Sequence, residues 1–401
     1  MSSRNESGLG DLESLRPDSP VLADAAAQWR SAYVHIPFCL RRCPYCDFAI
    51  VDESIDGPDQ VDRYVDALVA EIGMQDAFGP LDAVNFGGGT PTRLPTSDIS
   101  RIVDAVTNRF GLTEGAELSL EANPEDWTPA LAGDLVDVGF TRVSIGAQSF
   151  DDDVLRALGR IHVASDIART VGTAREAGFR SVSVDLIFGH PAESNRSWMS
   201  TVERALDLEP DHVSTYSLTV EAGTVLDREV KAGAPAPDDD LQADRYDEFI
   251  EAAAANGIRR YEVSNHASVG HVCRYNLATW ANAEYVAFGL GAHDHVNRVR
   301  SRNFRTMERY LSAVESGQRP RSGSETLDER ASERDRLMLG LRLAAGVENV
   351  GVARTFVESS AGEMLVNAGV LAVQDGRLIV AKPMLTDAVI REALSVSADD
   401  C

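Results

Sequence analysis

Tyr33-Val34-His35-Ile36-Pro37-Phe38-Cys39-Leu40-Arg41-Arg42-Cys43-Pro44-Tyr45-Cys46-Asp47-Phe48 is the stretch on which the reading of this 401-residue chain turns. A β-prone apolar run stops at a proline, and three cysteines follow at spacings of four and three residues. Thiolates are soft ligands suited to iron–sulfur clusters or zinc. A compact loop with this spacing can wrap three corners of a cubane, and no fourth cysteine lies nearby, so one iron would stay open to another ligand. Structural zinc wants four protein ligands, and His35 or Asp47 could supply the fourth. Both readings of Cys39, Cys43 and Cys46 stand at this point. Cys273 and Cys401 read as bystanders. An odd, clustered set of cysteines in a long chain is not a disulfide scaffold, and the expected compartment is reducing and cytoplasmic.

Outward from the cysteines the pattern repeats: a short apolar run, a turn, then an amphipathic stretch. The runs are Ala32–Ile36, Ala83–Phe86, Glu117–Glu121, Arg142–Gly146, Ser181–Phe188 and His212–Ser217. Helical periodicity fills Val61–Met74, Asp98–Phe110, Thr128–Val138, Ala164–Ala177 and Asn195–Leu208 between them, with Gly111, Gly139 and Gly178 placed as C-caps. This alternation predicts an α/β fold with right-handed crossovers and a parallel sheet. Six units are fewer than a closed eight-unit barrel needs, which leaves an incomplete barrel and a doubly wound sheet both open.

Residues 1–25 read as a flexible tail, 26–220 as the strand–helix unit with a cysteine loop over 37–57, and 221–328 as an extension. That extension begins in a Gly-, Ala-, Pro- and Asp-rich loop over 221–240 and continues in a helix over Leu241–Ala255. From 329 to 395 a small, mainly helical, winged-helix-like domain is expected, with helices over Glu329–Ala345, Val352–Glu358 and Leu385–Leu394. Asp375-Gly376 between β-rich runs is its hairpin signal.

The net charge of -25 arises from 36 Asp and 27 Glu against 36 Arg and only Lys231 and Lys382. Such a surface repels nucleic acid and anionic lipid, which argues against DNA binding by the helical domain. Asp above Glu with almost no Lys supports the hypothesis of a protein working in high salt, where screening tolerates self-repulsion. An unfolding midpoint that fails to rise from dilute to molar KCl would remove it. No apolar run approaches a membrane span.

Gly87-Gly88-Gly89-Thr90-Pro91 follows the second strand. Glycines there let backbone approach a ligand, although an ordinary strand-to-helix turn would look the same. Glu121, Gln148, Arg160 and Asp185 stand at or near successive strand ends. Asp185 is the most informative, because a carboxylate inside an apolar strand must find a partner or stay protonated. Further on, Tyr261-Glu262-Val263-Ser264-Asn265, Cys273-Arg274-Tyr275-Asn276, Trp280, Tyr285 and Gly289-Leu290-Gly291-Ala292-His293 form a polar-aromatic belt. It could line a pocket for a flat ligand or pack as an interdomain seam.

The Tyr33–Phe48 stretch resembles the cluster loop of the radical S-adenosylmethionine superfamily, and within it the oxygen-independent coproporphyrinogen III oxidase-like family. The resemblance covers nearly the whole chain. It implies an incomplete (β/α)6 barrel, a [4Fe-4S] cluster on Cys39, Cys43 and Cys46, and S-adenosyl-L-methionine on the open iron. Around that cofactor it places Tyr33, Phe48, Gly88, Thr90, Glu121, Gln148, Arg160 and Asp185, with Ile187 near the adenine and Thr90 with its neighbouring amides on the carboxylate. Oxidases of the family carry a further cysteine two after the third, whereas its heme chaperone branch carries phenylalanine, as Phe48 does. The implied function is a heme chaperone that binds heme and passes it to an acceptor protein or respiratory enzyme. An electron donor such as flavodoxin or ferredoxin and a homodimer belong to the same expectation, and no catalytic residue is assigned. The alternatives are the oxidase itself, an oxidative decarboxylase, and a zinc-stabilised regulator. Three departures stand out: Phe188-Gly189-His190-Pro191 replaces Tyr-Gly-Leu-Pro, Tyr275 stands where His is usual, and Thr279 where Tyr is usual. His190 could serve heme iron or be an ordinary loop histidine.

Overall fold

The computed structural model describes residues 12–53 and 60–396; residues 54–57 of the cysteine loop and Cys401 lie outside them. All six predicted strands form: β1 (Ser31–Ile36), β2 (Leu81–Gly88), β3 (Leu112–Ala122), β4 (Arg142–Gln148), β5 (Ser181–Phe188) and β6 (His212–Ser217). Each pairs in parallel with the next. Beyond β6 lie two short antiparallel strands, β7 (Arg259–Arg260) and β8 (Asn265–Ala267). On the other side β9 (Tyr285–Phe288) pairs in parallel with β1, and an antiparallel meander follows through β10 (His293–Val296), β11 (Val299–Asn303) and β12 (Arg321–Thr326). The sheet order is β12-β11-β10-β9-β1-β2-β3-β4-β5-β6-β8-β7, an open barrel wall with two edges. The parallel wall therefore has a seventh strand beyond the six expected.

Strand alternation divides this wall chemically. Val34, Phe86, Leu120, Val143, Ile145, Val182 and Val184 face outward into one core shared with the helices. The opposite face carries Tyr33, His35, Ser119, Glu121, Ser144, Ser183 and Asp185. A parallel sheet covered on both faces is usually apolar on both, so a polar inner face marks where a ligand belongs.

Helices Val61–Met74 and Ala164–Ala177 match their predicted spans, and Thr96–Phe110, Pro129–Val138, Asn195–Asp207 and Asp239–Ala255 lie within two residues of theirs. Gly139 and Gly178 end their helices at φ +110° and +103°, where a side chain would be strained. The 221–240 segment is not all loop. It contains the helix Val225–Lys231, whose Thr224 hydroxyl accepts from the Asp227 amide at 3.1 Å.

The flexible tail also needs correction. Residues 1–11 lie outside the described residues, but Pro20–Ala26 is a helix that buries Leu22, Ala23 and Ala26 beside Tyr261, Leu277 and Ala278. Glu13 pairs with Arg180 at 2.5 Å and Arg274 at 2.7 Å, tying the segment across the base of the wall. The end of the chain has its own core, Leu337, Val347, Phe356, Leu378 and Val389 among others. Its first helix stops at Gly340, short of the expected Ala345, and Asp375 and Gly376 turn the predicted hairpin with φ +49° and +76°. No helix among the described residues is long and apolar enough to cross a membrane.

Candidate functional site

At the C-terminal ends of the parallel strands lies a cavity of about 440 Å³. Cys39, Cys43, Cys46, Phe48, Gly88, Thr90, Glu121, Gln148, Arg160, Asp185 and Ile187 all line it. Tyr33 alone of the predicted set does not. It lies lower on the inner face, where its ring stacks on Tyr275 at 5.8 Å and its hydroxyl meets His35 Nδ1 at 3.2 Å.

The cysteine loop is fixed from within and without. Arg42 donates to the carbonyls of Cys46, Phe48 and Ile50 at 3.3, 3.0 and 3.0 Å, and its amide donates to Asp52 at 2.9 Å. From outside, the Leu226 amide donates to the Pro44 carbonyl at 2.9 Å, and Arg41 reaches the Gly159 carbonyl. All three thiols are free and partly exposed. Burial pushes the Cys39 thiol up to about 12 and raises that of Cys46, so as bare groups these two are neutral.

Two donors address the sulfurs. Asn123 Nδ2 donates to Thr90 Oγ1 at 2.8 Å, which leaves the Thr90 proton free for Cys39 Sγ at 3.6 Å. Arg160 Nη1 points at Cys43 Sγ at 3.7 Å while Nη2 donates to Asn123 Oδ1 and, at 3.2 Å, to the Gly146 carbonyl. Among the described residues, its buried Nε has no hydrogen-bond partner. Asn123, Tyr45, Ser144 and Tyr216 line the cavity without having been predicted. Asn123, two residues beyond Glu121 at the same strand end, was the one with a usable signal.

The glycine loop does something other than expected. The amides of Gly88, Gly89 and Thr90 donate to Glu121 Oε2 at 3.2 Å, Ile36 O at 2.8 Å and Phe38 O at 2.8 Å. They are therefore satisfied within the protein and do not offer a carboxylate cradle. The glycines are required by packing: a Cβ on Gly88 would stand 2.3 Å from the His35 ring, and one on Gly89 2.7 Å from the Pro37 carbonyl carbon.

Deeper in the cavity sit two acids. Glu121 keeps some exposure to the cavity but is enclosed by protein, and burial followed by the neighbouring Asp185 charge pushes its carboxyl up to about 7. Burial also raises Asp185, against hydrogen bonds from Ser214, Ser144 and Ser183. Gln148 holds φ +64° beside a register shift between β4 and β5, a strained backbone of the kind found where a side chain is aimed at a ligand. Ile187 joins Val154, Leu158, Leu218 and Leu226 in an apolar side wall. Phe48 is 57% exposed at the mouth.

His35 is not a spare metal ligand, because its Nε2 meets the Ala49 carbonyl at 2.8 Å and Nδ1 the Tyr33 hydroxyl. Among the described residues no group of three or more His, Cys, Asp or Glu could hold a single metal ion. The polar-aromatic belt does not form one pocket. Tyr275 and Tyr285 pack edge to face at 6.2 Å on the inner face, and Tyr261 bonds His212 at 2.9 Å. Trp280 lies under Arg342 and lines a second cavity of about 440 Å³ beside the Pro20–Ala26 helix and the C-terminal helices. His190 accepts from the Ala192 amide at 3.0 Å in its own loop.

Residues 33–205 match the Radical SAM superfamily. The chain is 36% identical over 385 residues to the heme chaperone HemW of Mycobacterium tuberculosis, covering 94% of this chain and 97% of that one. It is 34% identical to the heme chaperone HemW of Bacillus subtilis, over 83% and 88% of the two chains. Among solved structures, the coproporphyrinogen III oxidase HemN of Escherichia coli, described as a radical SAM enzyme, has a TM-score of 0.79 at 22% identity, covering 93% and 92%. At that identity the likeness establishes the fold. The chain belongs to the HemW heme chaperone family of the radical SAM superfamily.

Proposed function

We propose that this chain is a heme chaperone that carries a [4Fe-4S] cluster and S-adenosyl-L-methionine and delivers heme to an acceptor protein. The observation that carries the reading is one cavity that gathers three free thiols, two buried acids and a buried arginine, in a chain related over 94% of its length to heme chaperones.

The residues fit the implied groups. Cys39, Cys43 and Cys46 would hold three irons, whose positive charge offsets the cost of ionising buried thiols. Thr90 and Arg160 would donate to the sulfurs. Glu121 and Asp185 suit a ligand that brings a sulfonium, an ammonium and a ribose diol; Arg160, whose Nε has no partner among the described residues, suits an anionic group. Ile187 offers an apolar wall to a base, Gln148 a neutral amide, and Gly88 and Phe48 bound the floor and mouth. Tyr33 supports this set from below through His35. S-adenosylmethionine on a reduced cluster can supply a carbon-centred radical, while the protein's part is orientation and exclusion of water.

The test pairs two measurements on one anaerobically reconstituted preparation. Heme titration should saturate a single site, and the loaded protein should pass heme to an apoprotein. Coproporphyrinogen III, with reductant and S-adenosylmethionine, should remain unconverted by chromatography. Multiple turnovers to the divinyl product would replace the chaperone with the oxidase reading. Heme uptake without transfer would leave only a sticky apolar surface.

A further inference from the structure

From Asp185 in the cavity a hydrogen-bonded chain runs along the inner face of the sheet to residues that the cofactor reading does not use. Asp185 accepts from Ser144 Oγ at 2.8 and 3.0 Å and from Ser183 Oγ at 3.3 Å. Ser144, Ser183 and His212 stand in register across β4, β5 and β6. Behind Ser183, His212 places Nδ1 2.8 Å from the serine oxygen and Nε2 2.9 Å from the Tyr261 hydroxyl. His212 and Tyr261 are 2% and 1% exposed, and neither lines the cavity.

The chain has a forced polarity. With Asp185 ionised, its carboxylate can only accept, so Ser183 gives its single proton to Asp185. Its oxygen must then accept from His212, which puts the imidazole proton on Nδ1. Nε2 is left as an acceptor, and Tyr261 must donate to it.

We propose that His212 is a positioning residue for Asp185, acting as the Nδ1–H tautomer to hold Ser183 with its hydroxyl aimed at the carboxylate and thereby fixing that acid for the ligand's hydroxyl groups. This rests on the reading that S-adenosylmethionine occupies the cavity. His212→Asn keeps an N–H donor where Nδ1 stood, and His212→Leu removes it. In the reconstituted protein, calorimetry should show S-adenosylmethionine binding about tenfold weaker in His212→Leu, the loss of a hydrogen bond in a charge-bearing chain, with most of that loss restored in His212→Asn. Equal losses in both variants, or none in either, would overturn the proposal, and thermal midpoints recorded alongside identify a variant that is merely unfolded.

A second readout is independent of the ligand. Long-range nitrogen–proton NMR of histidine-labelled protein should show the His212 ring, identified by its loss in His212→Asn, as neutral and protonated on Nδ1. Protonation of the His212 ring on Nε2 instead would overturn the proposal whether or not the ligand binds. A wild-type chain that shows the Nδ1 tautomer but no affinity for S-adenosylmethionine would instead overturn the cofactor reading and leave the positioning of Asp185 supported.

Discussion

Arg160 and Cys43, 117 residues apart in sequence, meet across the cavity with Nη1 3.7 Å from Sγ. The guanidinium is enclosed by protein, and the carboxylate it faces is Glu125, 3.8 Å away. A fixed cation at this distance from the Cys43 sulfur would act on the electron affinity of a cluster held there.

Replacing Arg160 with Met should therefore leave three cysteines able to assemble a cluster but make it harder to reduce. Removing a positive charge and a hydrogen bond to sulfur both disfavour the more negative, reduced state. A redox titration followed by electron paramagnetic resonance should place the variant's potential below that of the wild type. An unchanged potential would reduce Arg160 to a scaffold for Asn123.

Gly89→Ala should damage the same site through packing alone. Its Cβ would stand 2.7 to 2.8 Å from backbone atoms of Pro37, Ile36 and Phe38, which cannot yield as a flexible side chain can. Overpacking of this kind costs about 1–3 kcal/mol. The thermal midpoint should fall and reconstituted iron should be lost, because the strain enters one residue before Cys39. Gly133→Ala is the control: among the described residues nothing lies within 4 Å of its Cβ on the Pro129–Val138 helix, so it should be neutral or stabilising. Equal behaviour of the two variants would remove the packing argument.

The contrast between β1 and β9 shows what the sequence could and could not reveal. β1 to β6 are local patterns, each a run of β-formers followed by a helix-period stretch, and the cysteines mark the end of the first. β9 is four residues in an aromatic-rich segment, and its partner β1 lies near the other end of the chain, so nothing local announces the pairing. Burial of Leu22 is hidden for the same reason, since the cluster it joins includes Tyr261 and Leu277. Most of the cavity lining was legible because strand ends in a parallel sheet converge whatever the loops do. The direction of the Gly88, Gly89 and Thr90 amides was not, because a glycine run says that backbone comes close to something without saying to what. The polar-aromatic belt misled for a related reason: composition gathers Tyr275, Tyr285 and Trp280, and the fold puts the tyrosines inside the wall and the tryptophan outside it.

Glu121 should make ligand affinity depend on pH. Burial and Asp185 push its carboxyl up to about 7, so in the free protein it is protonated below that value. A ligand bearing positive charge favours the ionised form, and binding below about pH 7 must then release a proton. Affinity should rise by up to about tenfold per pH step of one and level off above 7. The same raised carboxyl contributes stability to the ligand-free protein below its unfolded value of 4.5, and that contribution is lost as pH climbs from 4.5 through about 7. Glu121→Gln should flatten the affinity profile in calorimetry over this window. A variant with the wild-type slope would show that another group carries the proton.

Leu22→Ala tests whether the N-terminal segment is part of the fold. In a mobile tail the change would sit within about 0.5 kcal/mol of neutral, as for other surface substitutions. Leu22 is instead 4% exposed on the Pro20–Ala26 helix, packed in a cluster with Trp29, Tyr261, Leu277 and Ala278. Truncating a leucine in such a site costs about 2–5 kcal/mol, from lost transfer energy and the cavity left behind. The variant's urea midpoint should fall accordingly. Glu13→Ala should cost much less, because its pairs with Arg180 and Arg274 keep about a third of the carboxylate exposed and surface ion pairs contribute about 0–1 kcal/mol. The ordering carries the argument. If Glu13→Ala were the more damaging of the two, the segment would be held by charge and would loosen in salt; if Leu22→Ala dominates, the segment is a hydrophobic seal on the base of the wall, and its loss should also free the Arg274–Trp280 helix against which it packs.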